Sequence, residues 1–210
     1  MAYRHAFEAK EGTVNKPLNL PLARSAVDRD YLQRKNPDLF DQLWANEKTR
    51  VLPMHQGKIL LRQNNNHAVP ELKLFEVEAV ASATLRVYLG FSTEASGAEP
   101  AGTPIVLTVL SESAANQLEP DPNAWISLRR NGAGLSDRDA GLYAQALSIA
   151  NWHDSHTRCS KCGTPTVVID GGWVRTCPVD EKEFYPRTDP AIIAAVTDEQ
   201  DRILLGSQGI

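Results

Sequence analysis

The chain has 210 residues, 42% hydrophobic and 23% charged, with a formal net charge of −4, so one ordinary domain or two small ones with a buried core are within reach. Its longest apolar runs, such as residues 191–196, are far shorter than the ~20 residues that span a bilayer. Residues 1–12 lack the apolar centre of a secretory signal, and the acidic balance argues against attachment to nucleic acid or anionic lipid through bulk charge. The expected location is the cytoplasm, with no membrane partner.

Residues 28–47 have helical composition interrupted at Pro37, so one helix is expected to end there and another to begin. Strand-length runs follow at 51–55, 58–62, 72–80, 85–91, 105–110 and 125–129. Gln56-Gly57 suits a hairpin turn between the first two, and Phe75-Glu76-Val77-Glu78-Ala79 alternates apolar with charged residues as a half-buried strand does. Residues 63–66 and 94–104 are rich in turn formers and read as surface loops. The sum is a mainly antiparallel sheet. Ser136 followed by Asp137 and Asp139 reads as an N-cap with an acidic first turn, and Tyr143, Ala146, Leu147 and Ala150 recur at helical spacing. A helix packing that face into a core is expected to run to about Trp152 or His153.

All three cysteines lie between Cys159 and Cys177, an odd set that points to metal or thiol chemistry rather than a disulfide framework. Cys159-Ser160-Lys161-Cys162-Gly163 and Cys177-Pro178-Val179-Asp180 flank two short β-type runs joined by Asp170-Gly171-Gly172. Thiolates two residues apart let one tight turn offer both sulfurs to a single ion, and a hairpin carries the second turn alongside. This is the plan of a zinc ribbon. Its fourth position holds Asp180, and carboxylate oxygen is an acceptable zinc ligand. Zn2+ on Cys159, Cys162, Cys177 and Asp180 is the leading expectation; His153, His156 or Glu181 are alternative fourth ligands, and a metal-free ribbon or redox-active thiols are alternatives to the metal. His153 and His156 are expected as exposed helix-end residues, where the helix dipole favours histidine. Zinc with four protein ligands has no open position, so the role of the metal is structural.

The stretch Ala146-Leu147-Ser148-Ile149-Ala150-Asn151-Trp152-His153, the C-x-x-C-G turn, Gly171-Gly172-Trp173, Cys177 and Phe184-Tyr185-Pro186-Arg187-Thr188-Asp189-Pro190-Ala191-Ile192-Ile193 resembles the NAD(H) diphosphatases of the Nudix hydrolase superfamily. The resemblance implies hydrolysis of the NAD(H) pyrophosphate to NMN(H) and AMP, and removal of NAD caps from RNA 5′ ends. It also implies a homodimer and catalytic Mg2+ or Mn2+. Two substrate-binding residues are carried over: Tyr185, the tyrosine before the proline that follows the second knuckle, and Arg129, in the run Ser127-Leu128-Arg129 read as a strand. Some members carry a glutamate before the ribbon tryptophan, where this chain has Gly172.

Pyrophosphate cleavage calls for carboxylates gathered around divalent ions. Nudix enzymes draw them from a motif of Gly, a Glu six residues on, Arg-Glu and Glu-Glu. No glycine here is followed by Glu at that spacing, and neither dipeptide occurs, so no catalytic residue is assigned. Residues 191–206 read as the opening β-hairpin of a Nudix fold. The expected architecture is α+β: a mainly antiparallel β domain with helices over 1–135, a connecting helix over 136–156, the zinc ribbon over 157–187, and the start of an incomplete Nudix domain over 188–210. The chain is thus expected to be an N-terminal portion, inactive alone. The competing class is a non-catalytic zinc-ribbon module that binds nucleotide or protein; a thiol redox protein using Cys159 and Cys162 lacks its βαβ context.

Overall fold

In the computed structural model, which describes residues 26–62, 69–80, 82–97, 99–187 and 196–205, six apolar runs pair into one sheet. They are β1 (Val27–Asp28), β2 (Arg50–His55), β3 (Lys58–Leu60), β4 (Leu85–Ser92), β5 (Pro104–Val109) and β6 (Trp125–Ser127), in the order β1-β4-β5-β2-β3-β6. Only β2 and β5 run parallel, so the sheet is mainly antiparallel, as expected. The β2–β3 turn forms where foreseen: Gln56 (φ 50) and Gly57 (φ 72) are both left-handed, the geometry that matches the twist of a two-residue hairpin.

Two strand expectations fail. Residues 72–80 contribute only isolated bridges, Leu72 to Leu61 and Phe75 to Val51, and Val77–Ala79 is a 3-10 turn. The obstacle is where β2 begins. Val51 exchanges backbone bonds with Phe75; in that antiparallel register Val77 would face Thr49, which precedes β2 and whose N–H donates to Asn46 O at 2.9 Å. The alternation still shows in burial, with Val77 buried and Glu76 and Glu78 exposed. The run 125–129 also stops early: β6 ends at Ser127, opposite Lys58 where β3 begins, and Leu128–Asn131 forms a helical turn, α3. Arg129 therefore lies on a helix and not in a strand.

Pro37 divides the N-terminal helical region as expected, into a 3-10 turn at Tyr31–Lys35 and α1 at Leu39–Ala45. A further helix, α2 (Glu112–Leu118), is capped by Ser111, whose hydroxyl accepts the Ala114 N–H at 3.3 Å. The long helix α4 (Asp137–Ser155) is capped by Ser136, whose Oγ accepts the Asp139 N–H at 3.2 Å. The period-2 alternation of the strands then divides the core. Leu52, Met54, Ile59, Val87 and Leu107 pack with Leu142, Tyr143, Ala146 and Ile149 of α4. Val51, Leu60, Tyr88 and Val106 pack on the other face with Leu39 and Leu43 of α1 and Ala115 of α2. Each fully buried aliphatic side chain of this kind contributes about 1.5–3 kcal/mol relative to exposure.

Among the described residues, buried Asp, Glu and Arg side chains gather at the start of α4. Arg138 Nε donates to Asp139 Oδ1 at 2.8 Å, Asp139 Oδ2 accepts the Leu72 N–H at 2.8 Å, and Glu99 takes Arg62 at 2.7 Å and Arg138 at 3.7 Å. The network ties two loops to the helix terminus.

A second sheet, β7 (Val167–Ile169), β8 (Val174–Thr176) and β9 (Glu183–Phe184), is antiparallel throughout. Its β7–β8 tip is pressed against β4. A Cβ on Gly172 (φ +90) would lie 2.6 Å from the Arg86 carbonyl oxygen and 2.7 Å from Val87 Cα, so only glycine fits. Next to it, Trp173 Nε1–H donates to the Tyr88 carbonyl at 2.7 Å, and the Arg34 guanidinium lies 3.9 Å from the indole centroid.

Thr197 and Ile203 bridge across an Asp198-capped turn, as the expected final hairpin requires; its residues 191–195 and 206, like the loop at 63–66, lie outside the described residues. Among the described residues, no helix is long and apolar enough to cross a membrane.

Candidate functional site

The two cysteine turns repeat one another. In the first, Cys159 N–H donates to Thr164 O at 2.8 Å, and Gly163 N–H donates back to Cys159 O at 2.9 Å. In the second, Cys177 N–H donates to Lys182 O, and Glu181 N–H to Cys177 O, both at 2.9 Å. The left-handed position is Gly163 (φ 74) in one and Glu181 (φ 57) in the other. Step for step, Asp180 occupies the place that Cys162 holds in the first turn.

The result is four converging donors. Sγ of Cys159, Cys162 and Cys177 and a carboxylate oxygen of Asp180 all lie within 4.8 Å of one another. Cys162 Sγ is 3.5 Å from Cys177 Sγ, and Cys159 Sγ donates to Asp180 Oδ2 at 3.3 Å. Four thiolates at the usual zinc–sulfur length of about 2.3 Å would stand about 3.8 Å apart at the corners of a tetrahedron, and a carboxylate corner somewhat closer. The donor set fits zinc in number, type and spacing, and all three cysteines are free. Hydrogen bonding with the Thr164 hydroxyl and N–H holds the Cys162 thiol down at about 7. Burial pushes the Cys177 thiol up to about 11, and hydrogen bonding from Cys177 and the Lys182 N–H keeps the Asp180 carboxyl below its ordinary value.

The alternative fourth donors are placed elsewhere or otherwise engaged. His153 is only 3% exposed, which overturns the exposed helix-end expectation. Its Nε2 lies 2.8 Å from Gly172 O and its Nδ1 2.9 Å from Arg175 Nη1. The carbonyl requires a donor and the guanidinium an acceptor, so the ring is the neutral Nε2–H tautomer. Burial holds its pKa below the ordinary value. Arg175 also donates to Thr166 Oγ1 at 2.6 Å and Thr166 O at 3.0 Å, so histidine and arginine together join α4 to the ribbon. His156 is half-buried and stacks on Trp152, with ring centroids 5.3 Å apart. Glu181 is exposed beside Asp180.

The two residues carried over as substrate contacts sit on separate elements. Tyr185 follows β9, is 57% exposed, and donates its hydroxyl to the Glu183 carboxylate, which raises the pKa of the phenol. Arg129 is exposed on α3. Gly172, where the resemblance sets a glutamate in some members, is buried and carries no side chain. Sequence reading missed the Arg34–Trp173 stack and the His153–Arg175 pair; the signal was Trp173 directly after two glycines, an aromatic on a tip that must dock. Among the described residues the only cluster of three or more metal-type side chains is the cysteine site; Glu99 and Asp139 are already engaged by arginines.

Comparison with known proteins agrees with this arrangement. Residues 48–152 match the family described as an NADH pyrophosphatase-like rudimentary NUDIX domain, and residues 154–185 match the NADH pyrophosphatase zinc ribbon domain. The chain is 36% identical over 91 residues to the NAD-capped RNA hydrolase NudC of Mycobacterium tuberculosis H37Rv, covering 43% of this chain and 29% of that protein. It is 38% identical over 85 residues to the human mitochondrial NAD(P)H pyrophosphatase NUDT13, covering 40% of this chain and 24% of that protein. The aligned part thus spans less than a third of either relative.

Proposed function

Because the chain belongs to the NADH pyrophosphatase family of Nudix proteins, we propose that it serves hydrolysis of the pyrophosphate bond of NAD(H), giving NMN(H) and AMP, and removal of NAD caps from RNA 5′ ends. The observation that carries this reading is the succession of a rudimentary Nudix domain and its zinc ribbon along one chain, with four donors converging in the ribbon.

Within this reading Cys159, Cys162, Cys177 and Asp180 hold Zn2+. A set of four protein donors leaves no position for water, so the metal cross-links the two turns and takes no part in bond cleavage. Tyr185 presents an exposed ring to stack on a base, and Arg129 an exposed guanidinium suited to phosphate. In this reading catalytic Mg2+ or Mn2+ is held by carboxylates other than the described residues, among which the cysteine site is the only metal-type cluster, and the chain alone is expected to be inactive. The division at 135, 156 and 187, a cytoplasmic location and a homodimer belong to the same reading. The exposed Val196, Ile203, Leu204 and Leu205 supply apolar surface for further packing.

The test uses NADH and Mn2+ with chromatographic detection of AMP. A complete reading frame containing this chain is expected to release AMP, with Tyr185→Ala raising KM, whereas the 210-residue chain releases none. A folded complete protein that leaves NADH intact overturns the activity; metal-dependent release by the homogeneous 210-residue chain overturns its inactivity.

A further inference from the structure

The two oxygens of Asp180 face different partners. Oδ2 points among the sulfurs, 3.3 Å from Cys159 Sγ, while Oδ1 accepts the Lys182 N–H at 3.1 Å. Lys182 is also tied back through its carbonyl, which accepts the Cys177 N–H at 2.9 Å. In the first turn the matching pair is Cys162 and Thr164, where a single sulfur has to serve both as metal donor and as the hydrogen-bond partner of the Thr164 hydroxyl 3.3 Å away. A carboxylate divides these tasks between two atoms.

Lys182 is the last residue before β9. That strand has two residues, Glu183 opposite Thr176 and Phe184 opposite Arg175, and pairs with β8 alone. So short an edge strand has little stability of its own, and its direction is set by how the chain enters it. The residue it delivers is Tyr185, exposed with its hydroxyl on Glu183.

Resting on the ribbon metal and the substrate role of Tyr185 given above, we propose that Asp180 is a positioning residue. Its Oδ2 takes the metal while its Oδ1 fixes the Lys182 amide, so that filling the ribbon site sets the placement of Tyr185. The position that departs from cysteine thereby couples metal occupancy to the substrate wall.

The experiment is residue-resolved NMR and amide exchange on the full 210-residue chain, with bound zinc counted separately by a colorimetric chelator. Zinc is expected to slow Lys182 exchange in the wild type by about tenfold, the weight of one hydrogen bond to a charged acceptor, and to shift the Tyr185 ring signals. Asp180→Ala, brought to zinc saturation on its three thiolates, is expected to show neither change. Should that variant fail to fold, Asp180→Asn reads the same loss, because one carboxamide oxygen cannot face both partners. Cys162→Ser, which weakens the metal site but keeps Asp180 and Lys182, is expected to retain both responses at saturation. A zinc-saturated Asp180→Ala with the wild-type Tyr185 response overturns the coupling and leaves the zinc site standing. A wild-type chain that binds no zinc overturns both.

Discussion

Replacing Gly172 by alanine places a Cβ 2.6 Å from the Arg86 carbonyl oxygen and 2.7 Å from Val87 Cα, at a φ of +90. Both are backbone atoms of β4, paired there with Thr108 and Leu107 of β5, so neither can move aside as a flexible side chain would. An L-residue in a left-handed conformation costs roughly 1–2 kcal/mol, and overpacking a fitted contact adds typically 1–3 kcal/mol. The predicted loss is therefore about 2–5 kcal/mol, a large share of the ~5–15 kcal/mol that holds an ordinary domain together. The same displacement pulls on the Gly172 carbonyl, which accepts from His153, and on the Trp173 N–H bond to Tyr88, so the ribbon tip should leave β4 before the sheet melts. Urea unfolding followed by tryptophan fluorescence reads both. Gly102 is the control: its φ is +83, but a Cβ there meets nothing within 4 Å, so alanine at 102 carries only the backbone cost. Equal losses for the two variants would refute the close approach of ribbon and sheet.

Three further predictions follow from single contacts. His153 has a folded pKa below its ordinary 6.5 because it is buried; the unfolded chain then binds more protons in acid. Its stabilising contribution is complete above about pH 6.5 and drains as pH falls toward the depressed value, so His153→Gln should flatten the dependence of the unfolding midpoint between about pH 7 and 5. Asp139→Ala removes the partner of Arg138 and of the Leu72 N–H. Breaking a buried pair by removing one partner costs about 3–5 kcal/mol, here toward the lower end because Arg138 keeps Glu99 at 3.7 Å; calorimetry would show a large fall in Tm, and a change within about 0.5 kcal/mol would contradict the network. Elemental analysis should find one zinc per chain, and its removal by a strong chelator should loosen the amides of both cysteine turns in exchange experiments while leaving those of β2 and β5 protected.

What the sequence disclosed depended on how local the determinant was. Pro37, the Ser136 cap, the Gln56-Gly57 turn and the cysteine spacing act within a few residues of themselves, and each produced the element expected of it. The failures came from partners distant in sequence. The run 72–80 has the right alternation, yet a strand needs a continuous neighbour, and past Phe75 it faces Thr49, outside β2 with its N–H turned to Asn46 O. Likewise Ser127-Leu128-Arg129 looks extended, but its partner strand β3 begins only at Lys58, opposite Ser127, and offers nothing beyond it. His153 shows the same limit at the site: a helix-end histidine has the local pattern of an exposed residue, and only the return of the ribbon, bringing Gly172 and Arg175 to its two ring nitrogens, buries it.

The fourth position of the ribbon lies between these cases. Spacing alone puts Asp180 in register with Cys162, but the neighbouring Glu181 argues against it, since the matching residue of the first turn is Gly163 and a left-handed glutamate is strained. The structure resolves the conflict through hydrogen bonds that no spacing rule contains. Glu181 N–H reaches Cys177 O and Cys177 N–H reaches Lys182 O, closing the same turn that Gly163 and Thr164 close around Cys159. The strain is offset by completing that turn, and completing it is what carries the Asp180 carboxylate to the sulfurs.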